Sequence, residues 1–221
     1  MENKFAEASL RAKKAGFDAV QIHCAHGYLI SNFLSPYTNV RNDEYGGSTK
    51  NRAKFAVEII KKTKKLVGRN YPIIIKLNFC DVPGGLTFKE SLTIAKLCIN
   101  AGVDCIEVSG GVVGDGKAIL TQKVTEEKDE AYFLEFSQKL KKYTDIPIIL
   151  VGGLRSLNVI KNIINEKQAD LVSMSRPLLC EPNLINRWKN GDMQKAKCTS
   201  CNACLNLLGK NKDAYCVPFS K

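Results

Sequence analysis

The sequence lacks the features that would place this chain in a membrane or in an export pathway. No uninterrupted apolar run approaches ~18 residues, so the sequence predicts no transmembrane helix. No apolar segment follows a basic start at residues 1–5, so we expect no signal peptide and a cytoplasmic protein. Charged residues at 25% and aromatic residues at 8% are ordinary values, which argues against a disordered or fibrous chain.

The sequence contains enough apolar material for one sizeable core, at 44% of its 221 residues. Its formal net charge of +11 comes largely from lysine pairs, such as Lys13 with Lys14 and Lys61 with Lys62, inside segments with helical apolar spacing. Aromatic residues are not interleaved with these lysines, as binding of a single nucleic-acid strand would require. We therefore interpret the lysines as solvated helix surface, and expect neither a nucleic-acid nor a membrane partner.

Five short runs rich in β-branched residues predict strands that are buried on both faces of a parallel sheet. They lie at 18–24, 72–78, 104–109, 146–151 and 169–174. Helical spacing occupies the segments around them, at 4–15, 55–67, 88–101, 132–143 and 157–166. The strict alternation predicts an α/β fold, and the similar glycine-containing helix-to-strand joints favour a ring of βα units.

A (β/α)8 TIM barrel has eight strands and about 250 residues, whereas this sequence provides only five strands. The helix at 4–15 precedes the first of them. We therefore predict an incomplete TIM barrel over residues 1–190, with the first three strands absent and two unpaired sheet edges. Residues 191–221 alternate cysteine and lysine with few large apolar residues, and they predict a separate cysteine-rich tail.

Both histidines of the chain follow the first predicted strand, on the rim where parallel barrels collect catalytic groups. His23 and His26 are three residues apart, and Tyr28 comes two residues later. Two imidazoles can hold an anionic or carbonyl oxygen, and a tyrosine hydroxyl can deliver a proton beside it. A structural histidine pair in a turn is an equally good interpretation. Zinc is a weaker one, because no nearby carboxylate or third histidine completes a ligand set.

Charged residues occur in two further contexts that invite interpretation. Arg41, Asp43 and Arg52 belong to a polar loop that leads into a helix, where we expect a buried ion-pair lattice with a structural role. Lys76 interrupts an otherwise apolar strand. Burying a cation alone is costly, so Lys76 must face a partner or a ligand, such as an electron-rich ring.

Glycines and an arginine follow the last two predicted strands. Gly152 and Gly153 end the fourth strand, and Ser175 and Arg176 follow the fifth. In TIM barrels the loops after the last two strands commonly bind phosphate, since glycine lets backbone N–H groups approach an anion and arginine binds it bidentately. A turn glycine with a surface arginine is the alternative.

Four of the nine cysteines have metal-ligand spacing, C-x2-C-x2-C-x11-C, at Cys198, Cys201, Cys204 and Cys216. The other five are scattered, at Cys24, Cys80, Cys98, Cys105 and Cys180. In a cytoplasmic protein such a group points to metal or redox chemistry rather than to disulfides. Four thiolates suffice for a [4Fe–4S] cluster or tetrahedral zinc, and three close cysteines with a distant fourth favour the cluster.

Long stretches of the sequence resemble the FMN-dependent Old Yellow Enzyme family. They lie at 15–52, 84–111, 147–156 and 170–179, and the first is highly specific. The cysteine tail is similar to that of the iron–sulfur branch, which includes 2,4-dienoyl-CoA reductase and related NADH:flavin oxidoreductases. The resemblance implies an FMN enzyme with NAD(P)H as reductant and a small-molecule substrate that carries an activated double bond.

The resemblance also implies roles for residues of the rim. His23 and His26 match the pair that holds the electron-withdrawing oxygen of the substrate. Tyr28 matches the proton donor to the alkene, with hydride coming from the flavin.

The cofactor residues follow by the same resemblance. Gly153, Ser175 and Arg176 match the FMN phosphate site, with Gly152 beside it. Lys76 stands where the family usually has an arginine near the flavin ring, which keeps the charge but loses the guanidinium fork.

Cys198, Cys201, Cys204 and Cys216 match the cluster ligands of the iron–sulfur branch. The second gap is one residue shorter than in the dienoyl-CoA reductases, so zinc stays open. The family barrel has three more strands before the helix at 4–15, so we expect the C-terminal part of a barrel that needs a separate N-terminal half or a homo-oligomer. The alternative is a non-catalytic fragment or subunit that binds an iron–sulfur cluster or zinc through these cysteines.

Overall fold

The computed structural model describes residues 1–112, 123–208 and 213–219, in which helices and strands alternate along the chain. The helices are α1 Glu2–Lys14, α2 Leu29–Leu34, α3 Thr49–Val67, α4 Phe88–Ala101, α5 Leu134–Lys141, α6 Leu157–Asn165, α7 Arg176–Cys180, α8 Leu184–Lys189 and α9 Ala203–Leu208. The strands are β1 Val20–Cys24, β2 Ile73–Cys80, β3 Cys105–Gly110, β4 Ile148–Leu150 and β5 Leu171–Val172. None of the described helices is long and apolar enough to cross a membrane.

The five strands form one sheet in the order β1-β2-β3-β4-β5, and every pair is parallel. Each strand thus pairs with the next one in the chain, which is the arrangement of consecutive strands in a TIM barrel. Among the described strands, β1 and β5 each pair on one side only. The α/β fold and the incomplete five-stranded barrel that the sequence predicts are confirmed.

Register gives the sheet one face that is apolar across β1 to β4 and an opposite face that carries three polar residues across β1 to β3, with Ile149 beside them in β4. Ile22, Ile75, Ile106 and Ile148 stand opposite one another across β1 to β4, and all four are buried under the helices. The next position in the same register carries His23, Lys76 and Glu107. Because successive side chains of a strand point to opposite faces, these three polar residues share the inner face of the partial barrel.

Capping residues explain where the two long helices begin. Thr87 caps α4 in a reciprocal capping box with Glu90, and α4 spans the predicted 88–101. Helix α3 begins at Thr49, six residues before the predicted start. There the Ser48 side chain accepts a hydrogen bond from the backbone N–H of Asn51, although apolar spacing starts only at Phe55.

The predicted ion-pair lattice of Arg41, Asp43 and Arg52 is wrong. Arg41 and Asp43 pair with each other at the surface, where 51% and 44% of their side chains are exposed. Arg52 is buried, donates to the carbonyl of Leu34 at 2.8 Å and forms an ion pair with Glu90. Arg52 therefore ties α3 to α4 and to the end of α2, while the other two residues stay in solvent.

Candidate active site

A cavity of about 320 Å³ opens beyond the carboxyl ends of the strands, within the size range of small-molecule sites. Six residues that the sequence singles out line it, namely His26, Tyr28, Lys76, Gly153, Ser175 and Arg176. Residues that the sequence did not single out complete the wall, among them Tyr132, Leu154, Arg155 and Ser200. His23 and Gly152 are absent from this lining and stand beside it.

A tight turn after β1 brings His26 to the cavity. His26 has a φ of 66° and Gly27 a φ of 77°, so two successive residues adopt the left-handed conformation. The turn is held because the backbone N–H of His26 donates to Asn78 Oδ1 at 3.3 Å. The His26 ring lies against β3, with Nε2 at 2.7 Å from Ser109 Oγ.

The two imidazoles and the tyrosine form one cluster. The His23 ring lies 5.0 Å from the ring of His26 and 5.0 Å from that of Tyr28, between ring centroids. The backbone N–H of Ala25 donates to His23 Nδ1, so a neutral His23 carries its proton on Nε2. Tyr28 is 54% exposed and can meet a ligand from the cavity side.

Both histidines are held in the neutral form. Burial, followed by the charge of Lys76, lowers the pKa of His26 to about 3. The same two causes lower the pKa of His23. Neutral imidazoles can donate hydrogen bonds to a carbonyl or anionic oxygen, but they add no charge to it.

Lys76 has a protein partner, which is Glu107 on the neighbouring strand. Lys76 Nζ lies 2.9 Å from Glu107 Oε1, which also accepts from Ser173 Oγ at 2.9 Å, and Oε2 accepts from Gln21 Nε2 at 2.6 Å. Burial raises the pKa of Glu107, but Lys76 and these hydrogen bonds outweigh it and hold that pKa below its ordinary value. Sequence reasoning missed Glu107, although a lone acidic residue in an apolar strand is the same signal that singled out Lys76.

Packing requires glycine at the turn after β4. Gly152 and Gly153 have φ values of 142° and 70°. A Cβ atom at Gly153 would lie 2.5 Å from Val124 Cγ2 and 2.8 Å from Tyr132 Cε1. Tyr132 therefore fills the space above the glycine and forms part of the cavity wall.

The end of the cavity near β5 is positively charged. Arg176 begins helix α7 there, and Ser175 precedes it. Arg155 is 5% exposed, and its Nε atom has no hydrogen-bond partner among the described residues. A buried donor without a partner is costly, so this end of the cavity suits an anionic ligand. Arg155 follows the Gly-Gly turn by two residues, a position that sequence reasoning overlooked.

Four tail cysteines line a second, very small pocket of about 10 Å³, namely Cys198, Cys201, Cys204 and Cys216. Hydrogen bonding from the Ala203 backbone lowers the pKa of Cys201, and burial raises that of Cys204. In the part of the chain that the structure describes, no group of three or more His, Cys, Asp or Glu residues is placed to hold a metal ion. The thiols thus share a pocket without a formed coordination sphere.

Cys180 also belongs to this region, although the sequence groups it with the scattered cysteines. Its thiol, at the end of α7, is hydrogen-bonded to that of Cys216. Burial and then this hydrogen bond raise the pKa of Cys180 to about 12. Five thiols, not four, therefore lie at this end of the molecule.

The partial barrel with a cavity at its strand ends places the chain among TIM-barrel proteins. Residues 1–195 match the NADH:flavin oxidoreductase / NADH oxidase family, and the chain belongs to that family. This confirms the relationship that the sequence resemblance predicts.

Individual relatives agree. An NADH oxidase of Thermoanaerobacter brockii is 40% identical over 201 residues, which cover 90% of this chain and 30% of that protein. An NADPH dehydrogenase of Clostridium acetobutylicum is 36% identical over 183 residues, which cover 82% of this chain and 51% of that protein. A structure of 2-naphthoyl-CoA reductase with 2-naphthoyl-CoA superimposes with a TM-score of 0.87 and 30% identity, covering 97% of this chain and 33% of that one. The chain thus spans about a third to a half of these proteins.

Proposed function

We propose that this chain forms the phosphate end and the proton-donor side of the active site of an FMN-dependent NAD(P)H oxidoreductase of the ene-reductase type. The observation that carries the proposal is the single 320 Å³ cavity that joins Tyr28 and His26 to Arg155 and Arg176. A hydrogen-bonding cluster at one end and cationic groups at the other suit a phosphorylated flavin with a small substrate beside it.

The residues present fit the phosphate of FMN. Arg176 and buried Arg155, whose Nε has no partner within the described ranges of the chain, provide charged donors, and Ser175 and the Gly153 turn stand next to them. Gly152 supports that turn from outside the lining. Lys76, fixed by Glu107, provides a further positive charge toward the middle of the cavity. When bound, FMN supplies the hydride-transfer chemistry, and the protein supplies position and charge.

The rim residues act on the substrate. His26, held neutral, and the Nε2–H of His23 donate hydrogen bonds to the carbonyl or similar oxygen that activates the double bond. Tyr28 has its ring 5.0 Å from that of His23 and donates a proton from its hydroxyl to the alkene carbon next to that group. The substrate class is therefore a small molecule whose double bond is conjugated to an oxygen acceptor.

The unpaired edges of β1 and β5 are where the remaining strands of the barrel would attach. An eight-stranded barrel needs three more strands between these two edges. We propose that an N-terminal half, or a complementing partner that carries it, supplies them.

The visible spectrum of the purified chain with added FMN tests flavin binding directly. We expect a retained, shifted flavin spectrum. Absence of bound flavin at micromolar FMN would reject an autonomous flavin site in this chain.

Reduction of 2-cyclohexenone by NADH in the same preparation tests Tyr28 as the proton donor. Tyr28→Phe should lower the rate of alkene reduction about a hundredfold and leave flavin binding unchanged. Tyr143→Phe, at an equally exposed tyrosine that follows α5 and does not line the cavity, is the matched control. Equal loss in both variants would contradict the role of Tyr28.

We further propose that the tail binds a [4Fe–4S] cluster, with zinc as the alternative metal. The proximity of Cys198, Cys201, Cys204 and Cys216 in one pocket supports this, as does the lowered pKa of Cys201, because metals bind thiolates. Metal analysis of Cys198→Ser and Cys216→Ser should show loss of bound metal. Cys180→Ser, which removes the neighbouring thiol outside the motif, should retain it. Retention in all three variants would refute the cluster, and stoichiometric iron without flavin would favour a non-catalytic metal-binding subunit.

A further inference from the structure

The flavin cavity and the cysteine pocket share a wall. We call residues 198–205 the cysteine segment. Ser200 and Leu205 of this segment line the large cavity, while Cys198, Cys201 and Cys204 line the small pocket behind it. One short stretch of chain therefore faces both sites.

Two arginines of the barrel hold this wall. Arg176 lines both the cavity and the cysteine pocket, and its guanidinium donates to the side-chain oxygen of Asn202. Arg155 lines the cavity, and its Nη1 donates to the carbonyl of Cys198 at 2.8 Å. Arg155 and Arg176, which make this end of the cavity suitable for an anion, therefore also hold the cysteine segment in place.

The backbone of the segment needs such contacts. Ser200 has a φ of 56° and Asn202 a φ of 60°, the left-handed conformation that side-chain-bearing residues adopt at a cost. Two such residues within three positions persist only where surrounding contacts determine them. Hydrogen bonds from Arg155 to Cys198 and from Arg176 to Asn202 flank this stretch on both sides.

From this arrangement we infer that Asn202 is a positioning residue for the phosphate of FMN, acting through Arg176, and that the conformation of the cysteine segment, which Arg155 also contacts, sets the affinity of the cavity for a phosphomonoester. Asn202 orients the Arg176 guanidinium, and Arg155 holds the start of the segment at the charged end of the cavity. Coupling between two sites is reciprocal, so a bound phosphate in turn orders the segment. The inference rests on the flavin site proposed above.

Flavin titrations test the inference in the full chain, with bound metal measured in every preparation. The probes are FMN and riboflavin, which differ only by the phosphate, and fluorescence quenching reports binding. We expect Asn202→Ala to weaken the binding of FMN about tenfold and to leave the affinity for riboflavin unchanged. Asn206→Ala, at an exposed position of the adjoining helix α9, should change neither. Unchanged FMN affinity in Asn202→Ala, or equal weakening of both flavins, would overturn the inference while the flavin site itself stands.

Amide hydrogen exchange of the cysteine segment provides the second readout. FMN, but not riboflavin, should slow exchange over residues 198–205, and Asn202→Ala and Arg155→Lys should speed it without any flavin. Exchange in β2 and α4 reports whether each variant remains folded. If the wild-type chain binds no flavin, the proposed flavin site fails for this chain, and only the exchange rates measured without flavin test the contacts of the cysteine segment. Unchanged exchange in both variants would then show that Asn202 and Arg155 do not hold that segment.

Discussion

Lys76 and Glu107 stand opposite each other in the register of β2 and β3, with Lys76 Nζ 2.9 Å from Glu107 Oε1. Only 21% of the Lys76 side chain and 6% of the Glu107 side chain are exposed. Gln21 of β1 and Ser173, directly after β5, also donate to the same carboxylate. One acidic residue thus links β1, β2, β3 and the end of β5 on the inner face of the partial barrel.

Replacing this carboxylate should destabilise the chain. Glu107→Gln keeps the shape of the side chain but leaves the ammonium of Lys76 half-buried without a counter-charge. We expect the free energy of unfolding to fall by about 3 kcal/mol, as measured by urea denaturation. The double variant Glu107→Gln with Lys76→Met should recover most of that loss. Glu135→Gln, which breaks the exposed Lys139–Glu135 pair, should have no measurable effect.

Arg52 should tolerate no substitution, even by lysine. Its guanidinium donates to Leu34 O, to Gly47 O and to Glu90. A lysine ammonium cannot reproduce that fork, so Arg52→Lys should lower the free energy of unfolding by about 2–3 kcal/mol. Arg41→Lys, on the exposed pair with Asp43, is the control and should change it by less than about 0.5 kcal/mol. Similar losses in both variants would contradict the structural difference between these arginines.

These two ion pairs show how far the sequence carries the fold. Apolar runs and helix-to-strand joints predict the order of elements and the five-stranded sheet, because those patterns are local. Partners of buried charges are not local. Lys76 pairs with a residue 31 positions away and Arg52 with one 38 positions away. The sequence therefore indicates that Lys76 needs a partner without naming Glu107, and it assigns Arg52 to the wrong neighbours.

In the candidate site, too, the sequence predicts the residues at strand ends but not the residues whose position depends on distant contacts. His26, Tyr28, Lys76, Gly153, Ser175 and Arg176 come together in one cavity, because strand ends of a parallel sheet meet at the same edge. Arg155, two residues after the Gly-Gly turn, was overlooked at a strand end that the sequence had located, whereas Ser200 was missed because its place in the wall depends on how the tail folds back on the barrel. Cys180 was missed as a neighbour of Cys216 for the same reason, since no sequence spacing relates α7 to the tail.

Gly153 should be more sensitive to alanine than a glycine of the same backbone conformation elsewhere. Its φ is 70°, and that of Gly47 is 74°, but a Cβ at Gly47 meets nothing within 4 Å. Gly47→Ala should cost about 1 kcal/mol of unfolding free energy from the left-handed conformation alone. Gly153→Ala should cost about 2 kcal/mol more, because its Cβ must displace Val124 or Tyr132. Urea denaturation of both variants measures the difference, and equal losses would refute close packing at the turn.

The lowered pKa of His26 predicts a pH dependence of stability. In the folded chain its pKa is about 3, against an ordinary value of 6.5. Between these values the unfolded chain binds a proton that the folded chain does not. Stability contributed by neutral His26 is therefore complete above pH 6.5 and is lost progressively as the pH falls toward 3. Urea denaturation at intervals through this window should give a flatter pH profile for His26→Asn than for the unmodified chain.

His23 provides the comparison within the same cluster. Its pKa is lowered as well, but its side chain is more exposed than that of His26, so His23→Gln should flatten the profile less. With only two histidines in the chain, that variant also assigns the imidazole resonances by NMR. The His26 resonance should keep its neutral-form position well below pH 6.5, and a His26 that titrates at its ordinary pKa would contradict the half-buried, Ser109-bonded ring. A His26 that stays neutral throughout the physiological range could contact an oxygen only by hydrogen bonding, as the proposed function requires, and the proposed proton donor of the cluster would then be Tyr28.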